Sequence, residues 1–451
     1  MDSSGNYLPI PDDLRFRGGD GRKLLEADDA GRCRSFQALN DHITEMFARI
    51  DASGKKKLLI FIHGGMTSIS ESLQRIKSQY RRILEDKQGY YPVFIVWRSG
   101  LTSSYWEQLC CIRGGQYNVP LGAVTLPFYL LKDLGVAIFS APLAWGHATY
   151  VYWSSVGEKK QVADIRESRC DAASTSPRHV TTTGVQYCHK GNREKEEGLA
   201  HDAFNLIMFL PKMITLPFVS SMGKTGWENM LRRTETQFRN PIELSDSSGV
   251  CAAEAKAFSK GSGATSIFFS RLARYLAGRD MEVSIIGHSM GSIIINKALM
   301  LYPEIEYRHI VFMAAADNIN HTIHAVGDYM RQHPQTEFYN VMMHPQADAN
   351  EIPRHTFGFA PNGSLLEWID EMYGPNRTRL DLTVGKWWNT KDILHLFPDD
   401  ERLRRRMHMK VFGFYDHDPV HHGDFTEIEL LKYPCRDKRF WWFEDVKGES
   451  K

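Results

Sequence analysis

The chain has 451 residues, and its 55 Lys and Arg nearly balance 54 Asp and Glu, so no charge excess indicates a nucleic-acid partner. Seven scattered cysteines without a CxxC spacing argue against a disulfide framework and against a zinc site built on cysteine. The polar N-terminus, Met1 to Asp13, carries no signal-peptide pattern, so we expect a cytoplasmic protein.

The first predicted elements alternate between helix and strand. Apolar residues between Phe36 and Ile50 recur at helical spacing and predict an amphipathic helix in an N-terminal segment, 1–55. The continuous apolar run Leu58 to Ile62 predicts a buried strand. A helix-like stretch, Ser70 to Leu84, and a second apolar run, Val93 to Trp97, follow. This alternation predicts an α/β fold with a parallel sheet.

A large insertion is predicted after the second strand. The next comparable strand, Val283 to Ile286, begins far beyond the reach of a short helical crossover. Further strands are predicted over 309–315, 338–343 and 409–415. We therefore divide the chain into a sheet domain (56–99 and 264–431), an insertion (100–263) and a C-terminal tail (432–451).

The sequence Gly287-His288-Ser289-Met290-Gly291 fits the pattern G-x-S-x-G between a predicted strand and a predicted helix. Glycines on both sides allow the close strand–helix approach that exposes such a serine. Ser289 is therefore the candidate nucleophile. The backbone N–H of Met290, at the helix N-terminus, is the first candidate oxyanion donor.

A second turn can contribute to the same site. His63-Gly64-Gly65 ends the first buried strand, where an HG-type turn can supply a second oxyanion amide. Gly65 is the predicted donor, and Met66 is its neighbouring alternative. In isolation the same residues describe an ordinary glycine turn.

Together, Leu58 to Gly65, Gly287 to Gly291 and the later strands resemble the α/β-hydrolase superfamily, in particular its serine esterases and lipases. The resemblance covers the sheet segments, about half of the chain. It implies a mostly parallel sheet with helices on both faces, and a triad in the order Ser, acid after the next-to-last strand, and His after the last strand. The acid is then Asp348, with Asp317 as its alternative.

The resemblance places the catalytic histidine after the last strand, where three histidines compete. His422 is preferred because a small residue and an aromatic residue follow it, His421 is the alternative, and His417 is too close to the strand end. The same loop also allows a metal hypothesis, with the carboxylate and imidazole groups of 416–424 as ligands. Because Ser289 already accounts for the histidine, we expect neither a metal nor a cofactor.

Two apolar stretches of the insertion, Val119 to Trp145 and Phe204 to Met222, allow three interpretations: cap helices, a lid over an acyl pocket, or an interfacial hairpin. Lys132, Asp133 and several prolines argue against a clean membrane span. We expect both stretches to cover the serine and to leave the protein cytoplasmic, with a membrane surface as an optional partner.

These features predict a serine hydrolase that cleaves acyl esters, lipids among them, through an acyl-enzyme intermediate. The same triad also fits a thioesterase or an acyltransferase, since only the leaving group and the acceptor differ. A third alternative is a membrane-associated scaffold that kept the fold and lost the chemistry. Lipid metabolism is the expected context of the enzyme.

Overall fold

A computed structural model describes residues 7–9, 29–65, 83, 89–97, 99–113, 116–117, 119–170, 199–238, 263–343, 348, 351, 363–374, 378–390, 400–412 and 421–426. Apart from Ile83, the predicted helix from Ser70 to Leu84 lies outside these residues. So do Met66, His417 and the tail 432–451.

The central element is a sheet of seven strands in the order β1-β3-β2-β6-β7-β8-β9, in which every neighbouring pair is parallel. Two short strands, β4 and β5, form a separate antiparallel ribbon. The strands are β1 Tyr7–Pro9, β2 Lys57–Ile62, β3 Tyr90–Val96, β4 Ile112–Arg113, β5 Gln116–Tyr117, β6 Glu282–His288, β7 Tyr307–Met313, β8 Glu337–Met343 and β9 Met407–Phe412.

Helices connect these strands, and two of the shorter helices continue into π-helical turns, Ile323–Gly327 and Ile369–Tyr373. Two 3₁₀ turns cover Arg379–Asp381 and His422–Thr426. The α-helices are α1 Asp29–Ala52, α2 Leu101–Cys110, α3 Val119–Cys170, α4 Leu199–Thr236, α5 Ala264–Leu276, α6 Gly291–Leu301, α7 Ile319–Thr322, α8 Asp328–Gln332, α9 Leu365–Trp368, α10 Trp387–Thr390 and α11 Glu401–Arg404.

The predicted α/β architecture is confirmed at the level of the sheet. All seven residues of β3 are buried, and β2 and β6 are buried along nearly their whole length. This is the pattern of parallel strands that are covered on both faces. The apolar stripe of α1, from Leu39 to Ile50, packs on the same core. Within the described part of the N-terminal segment, β1 also pairs with β3 at the edge of the sheet.

The two longest helices described in the insertion between β3 and β6 are α3 and α4, which run antiparallel to each other. The Trp145 indole N–H donates to the Met213 carbonyl (2.7 Å), and the Ser221 hydroxyl donates to the Asp133 carbonyl (2.9 Å). The C-terminal half of α4 continues onto the sheet domain, where Gly223 packs against the ring of Tyr373. Both apolar stretches of the sequence thus lie within these two helices.

One segment of α3, Val119–Pro142, is long and apolar enough to cross a bilayer when judged by length and composition alone. Its mean hydropathy is 1.5, and 17% of the window is buried in the protein. Lys132, Asp133 and the prolines argued against a clean membrane span. They do not lower the mean hydropathy of the segment enough to exclude such a span.

Candidate active site

The turn at Gly287–Gly291 holds Ser289 in a conformation that is rare for a residue with a side chain. Ser289 has a φ of 51°, and Ala314 (φ 43°) is the only other non-glycine residue with positive φ in the described part of the chain. The Ser289 N–H donates to the Met313 carbonyl (2.8 Å), and the Ala316 N–H donates to the Ser289 carbonyl (3.1 Å). Such strain persists only where neighbouring groups fix it, and it is concentrated at functional sites.

The two glycines of this turn are required by close packing. A Cβ atom on Gly291 would collide with the carbonyl oxygen of Ile62 at the end of β2. A Cβ atom on Gly287 would lie 2.7 Å from Cδ1 of Ile295. The glycines therefore allow β6, α6 and β2 to meet at the serine.

The turn that follows β2 is held by His63. The Trp97 N–H donates to Nε2 of His63 (3.0 Å), so the ring carries its proton on Nδ1 and donates it to the Gly64 carbonyl (2.8 Å). The Ser99 hydroxyl donates to the same carbonyl (2.8 Å). These bonds fix the peptide between Gly64 and Gly65, and thereby fix the direction of the Gly65 N–H.

This glycine turn lies directly against the serine turn. A Cβ atom on Gly64 would be 2.5 Å from Cβ of Ser289. A Cβ atom on Gly65 would be 2.8 Å from Sδ of Met290 and 2.7 Å from Cε of Met230 in α4. The structure therefore brings Gly65, Met290 and Ser289 together, and part of α4 covers them.

His422 lies beside the same turn. Its carbonyl accepts a hydrogen bond from Nε2 of His288 (2.8 Å), and the two rings are 5.0 Å apart. Its backbone N–H donates to Oε2 of Glu351 (2.9 Å). Burial lowers the pKa of His422 to about 4, so the imidazole is neutral at neutral pH.

The alternative histidine, His421, has a different environment. Its Nδ1 is 3.9 Å from Oε1 of Glu351, and its side chain is 31% exposed. Its backbone N–H donates to the Asp424 carboxylate (2.9 Å), which starts the 3₁₀ turn. His421 therefore sits at the outer side of this turn, whereas His422 faces the protein interior.

The predicted acid, Asp348, is buried at the same edge of the sheet, where the carboxyl ends of β6, β8 and β9 lie. Its carbonyl accepts a hydrogen bond from the Ser364 N–H (2.8 Å). Burial, and then the charge of Glu367, raise the pKa of Asp348 well above its usual value, while Lys386 and Ser364 oppose the rise. Within the described residues no hydrogen bond joins Asp348 to His422.

The alternative acid, Asp317, is bonded to a different histidine. Its carboxylate accepts from Nδ2 of Asn296 (2.7 Å) and lies 2.6 Å from Nδ1 of His321. Burial lowers the pKa of His321, but the hydrogen bond and the charge of Asp317 raise it overall. The sequence analysis missed this pair, although the spacing of four residues in a helix-like segment is a signal for it.

The three predicted triad residues are among the residues of the described part of the chain that carry buried polar atoms without a hydrogen-bond partner. Within the described part of the chain, Oγ of Ser289, both ring nitrogens of His422 and Oδ1 of Asp348 are buried and accept or donate no hydrogen bond. Buried polar groups are nearly always bonded, so such exceptions call for an explanation, and catalysis is one. The structure thus gathers Ser289 and His422 around one turn, and among the described residues no hydrogen bond joins Asp348 to His422.

A cluster of buried charges lies around Asp348. The Lys386 amine is 2.6 Å from Oε2 of Glu367 and 3.6 Å from Oδ2 of Asp370. Burial raises the pKa of Asp370, and it raises that of Glu371 to about 8. Burial lowers the pKa of Lys386, but the surrounding carboxylates raise it overall. Glu367, Asp370 and Glu371 share one helical segment, at spacings of three and four residues. Asp348 and Lys386 come from other parts of the chain, so no local pattern predicts the whole cluster.

The Lys386→Met substitution is expected to lower the free energy of unfolding by about 3–5 kcal/mol, because it leaves buried carboxylates without a cation. The loss should be larger at about pH 8 than at about pH 6, since carboxyl groups with raised pKa bind protons at the lower pH. Urea unfolding at both pH values measures the effect. The control is Lys56→Met, at an exposed lysine paired with Asp280. Equal stability of the two variants would contradict the assignment of a buried charge cluster.

No group of three or more His, Cys, Asp or Glu residues is arranged to hold a metal ion among the residues that the structure covers. Residues 413–420, which include His417, lie outside them. The metal hypothesis for that loop therefore stays a hypothesis.

Comparison with known proteins adds no relative: no protein-family model, no curated protein and no solved structure matches the chain. The fold defines the chain as an α/β protein with an all-parallel central sheet.

Proposed function

We propose that this chain is a serine hydrolase of the α/β-hydrolase fold that cleaves acyl esters, with Ser289 as the nucleophile. The observation that carries the proposal is the positive φ of Ser289 on a strand-to-helix turn, packed against a glycine turn and beside a buried neutral histidine. The chain order of Ser289, Asp348 and His422 after β6, β8 and β9 supports it.

In this mechanism the hydroxyl oxygen of Ser289 attacks the ester carbonyl carbon, and a ring nitrogen of His422 takes the hydroxyl proton. The bond to the leaving alcohol then breaks, and the alcohol takes that proton. Water attacks the acyl-enzyme in the second half, gives its proton to His422, and releases the carboxylic acid while Ser289 regains its hydroxyl.

Each remaining residue has a defined role. The backbone N–H groups of Gly65 and Met290 stabilise the oxyanion that forms on the carbonyl oxygen. Asp348 is assigned to stabilise the imidazolium of His422. Burial lowers the pKa of His422, so its imidazole is neutral and can accept a proton.

The surroundings of Ser289 favour an apolar acyl group. Ser289 itself is fully buried, and Met290 and Met230, which meet at Gly65, are fully buried as well. Thioether side chains adapt to flexible hydrocarbon chains without offering hydrogen bonds. We therefore propose long-chain acyl esters, lipids included, as the substrate class.

The test is to treat the purified full-length chain with a fluorophosphonate probe and to assay p-nitrophenyl esters of short and long acyl chains. The expected result is covalent labelling at Ser289, found by peptide mass analysis, with faster hydrolysis of the longer esters. A folded chain that neither labels nor hydrolyses any ester would overturn the proposal and favour the inactive scaffold. Release of thiol from acyl thioesters alone would favour the thioesterase.

The Gly64→Ala variant is expected to lose at least about 100-fold in kcat, because its Cβ atom pushes against Cβ of Ser289 and displaces the nucleophile by a fraction of an ångström. A stability loss of about 1–3 kcal/mol should accompany it. The control is Gly135→Ala in α3, where an added Cβ meets no atom within 4 Å. Rates equal to those of the unmodified protein in Gly64→Ala would contradict the proposed geometry.

A further inference from the structure

Helix α3 presents an unusual apolar face to solvent. Ten of the fourteen large apolar side chains that are exposed in the described part of the chain belong to α3. The most exposed are Val124 (73%), Phe128 (71%) and Phe139 (86%). With Leu131 and Ile138 they follow one another at steps of four, three, seven and one residues, which places all five on one stripe along the helix. This stripe is called the outer face of α3.

The outer face is large compared with the apolar patches of soluble proteins. The two phenylalanines alone expose on the order of 300 Å². The whole segment Val119–Pro142 is 24 residues long, which corresponds to about 36 Å of helix. Contiguous apolar patches above a few hundred Å² on a monomer mark an interaction site.

Charge is absent from the outer face except for one lysine. Lys132 and Asp133 are the only Lys, Arg, Asp or Glu residues of Val119–Pro142. Asp133 turns inward and accepts a hydrogen bond from the Tyr105 hydroxyl (3.2 Å). Lys132 stays exposed, with its amine 5.8 Å from the ring of Tyr129. An apolar face with a flexible cation at its edge fits a lipid surface, where lysine reaches the headgroups.

Two hydroxyl side chains of this segment form hydrogen bonds within the helix itself. The hydroxyl of Thr125 donates to the Leu121 carbonyl (2.5 Å), and that of Ser140 donates to the Ala137 carbonyl (3.3 Å), both within the helix. A protein partner typically forms one hydrogen bond per 100–200 Å² of interface, on the order of several for a patch of this size. These hydroxyls are already used within α3, which favours lipid over a second protein surface.

Between Gly122 and Trp145, the inner side of α3 contacts other helices of the protein at several points. Asp133 contacts Tyr105 of α2 and Ser221 of α4, and Trp145 is bonded to Met213. Gly122 packs against the carbonyl of Cys110 at the end of α2. A bilayer can therefore reach this segment from one side, so the helix lies in the membrane plane.

We propose that the outer face of α3 docks in the plane of a lipid bilayer, with Phe128 and Phe139 inserted among the acyl chains. The attachment is driven by apolar burial, and it does not depend on the chemistry of Ser289. The proposal goes beyond the hydrolase activity because it names the surface of the protein that binds the lipid bilayer.

The test is co-sedimentation of the full-length chain with phosphatidylcholine vesicles at low and high salt. We expect binding that changes by less than about 2-fold with salt, since screening affects charge-driven attachment and leaves apolar insertion intact. The double variant Phe128→Gln/Phe139→Gln should bind at least about 30-fold more weakly. Because both side chains are exposed, this variant keeps the core packing.

Two controls separate the outcomes. The variant Met300→Gln/Leu380→Gln removes two exposed apolar side chains from the sheet domain and should bind as the unmodified protein does. The Ser289→Ala variant should also bind normally, so a failure of hydrolysis and a failure of docking are distinguishable. Lack of vesicle binding, equal binding by the phenylalanine variant, or self-association in solution that the phenylalanine substitutions abolish would each overturn the proposal, the last in favour of a second copy.

Discussion

Ester hydrolysis by the Ser289→Ala variant is expected to fall by at least about 10⁴-fold, because the substitution removes the attacking oxygen and leaves only the catalysis that binding provides. Ser289 donates its backbone N–H to Met313, and alanine keeps that bond. The fold should therefore stay intact. Initial rates on p-nitrophenyl esters and the urea midpoint measure the two effects.

A neighbouring hydroxyl offers the matched control. Ser292 donates its hydroxyl to the Ser289 carbonyl (2.7 Å) and accepts the Asp317 N–H (3.2 Å). Ser292→Ala should cost about 1 kcal/mol of stability and reduce the rate by less than about 10-fold. If Ser289→Ala kept the rate of the unmodified protein while remaining folded, the nucleophile assignment would be wrong.

The His422→Ala variant should lose about 10⁴-fold in kcat, whereas His421→Ala should lose less than about 10-fold. The difference arises because the His422 ring packs 5.0 Å from the ring of His288, next to the nucleophile. His421 instead has its Nδ1 close to Glu351 on the outer side of the turn. Single-turnover kinetics with an activated ester measure both variants.

The opposite ranking would transfer the base to His421. Glu351→Gln helps to separate direct from indirect effects, since Glu351 accepts the backbone N–H of His422 and lies near the His421 ring. If His422 is the base, Glu351→Gln changes the hydrolysis rate only by shifting the turn that carries His422. Adding His421→Ala to Glu351→Gln should then lower the rate little further. Activity that a chelator removes would instead support the metal hypothesis for the late loop.

The sheet was predictable because parallel strands that are buried on both faces appear in the sequence as continuous apolar runs. Continuous apolar runs such as Leu58 to Ile62 have few alternatives when glycine turns bound them. Strand β1, Tyr7–Pro9, was missed because three residues carry no period, and its place next to β3 is decided by tertiary pairing. The order of the strands likewise depends on packing that no local pattern encodes.

The candidate site was predictable only where chemistry is local. The close packing of the serine turn requires glycine at positions 287 and 291, each two residues from Ser289. Because these residues are so near in the chain, they form a motif in the sequence. The contacts of Asp317 with Asn296 and of Lys386 with Glu367 join residues from separate elements of the fold, so they leave no such motif. The choice of Asp348 over Asp317 as the acid stays a prediction, because no hydrogen bond joins Asp348 to His422 among the described residues.

Because Ser289 is completely buried, the rate at which it reacts with a reagent also reports how often the layer that covers it opens. With no exposed surface at the serine and with Met230 of α4 packed on the adjacent Gly65, a reagent can react only in the fraction of molecules in which the covering layer has moved. The apparent rate constant then equals the intrinsic one multiplied by that fraction, so an open population of about 1% slows labelling about 100-fold. Small and bulky probes need openings of different width. The ratio of their rates, followed with temperature, gives the free energy that separates the closed state from each open one.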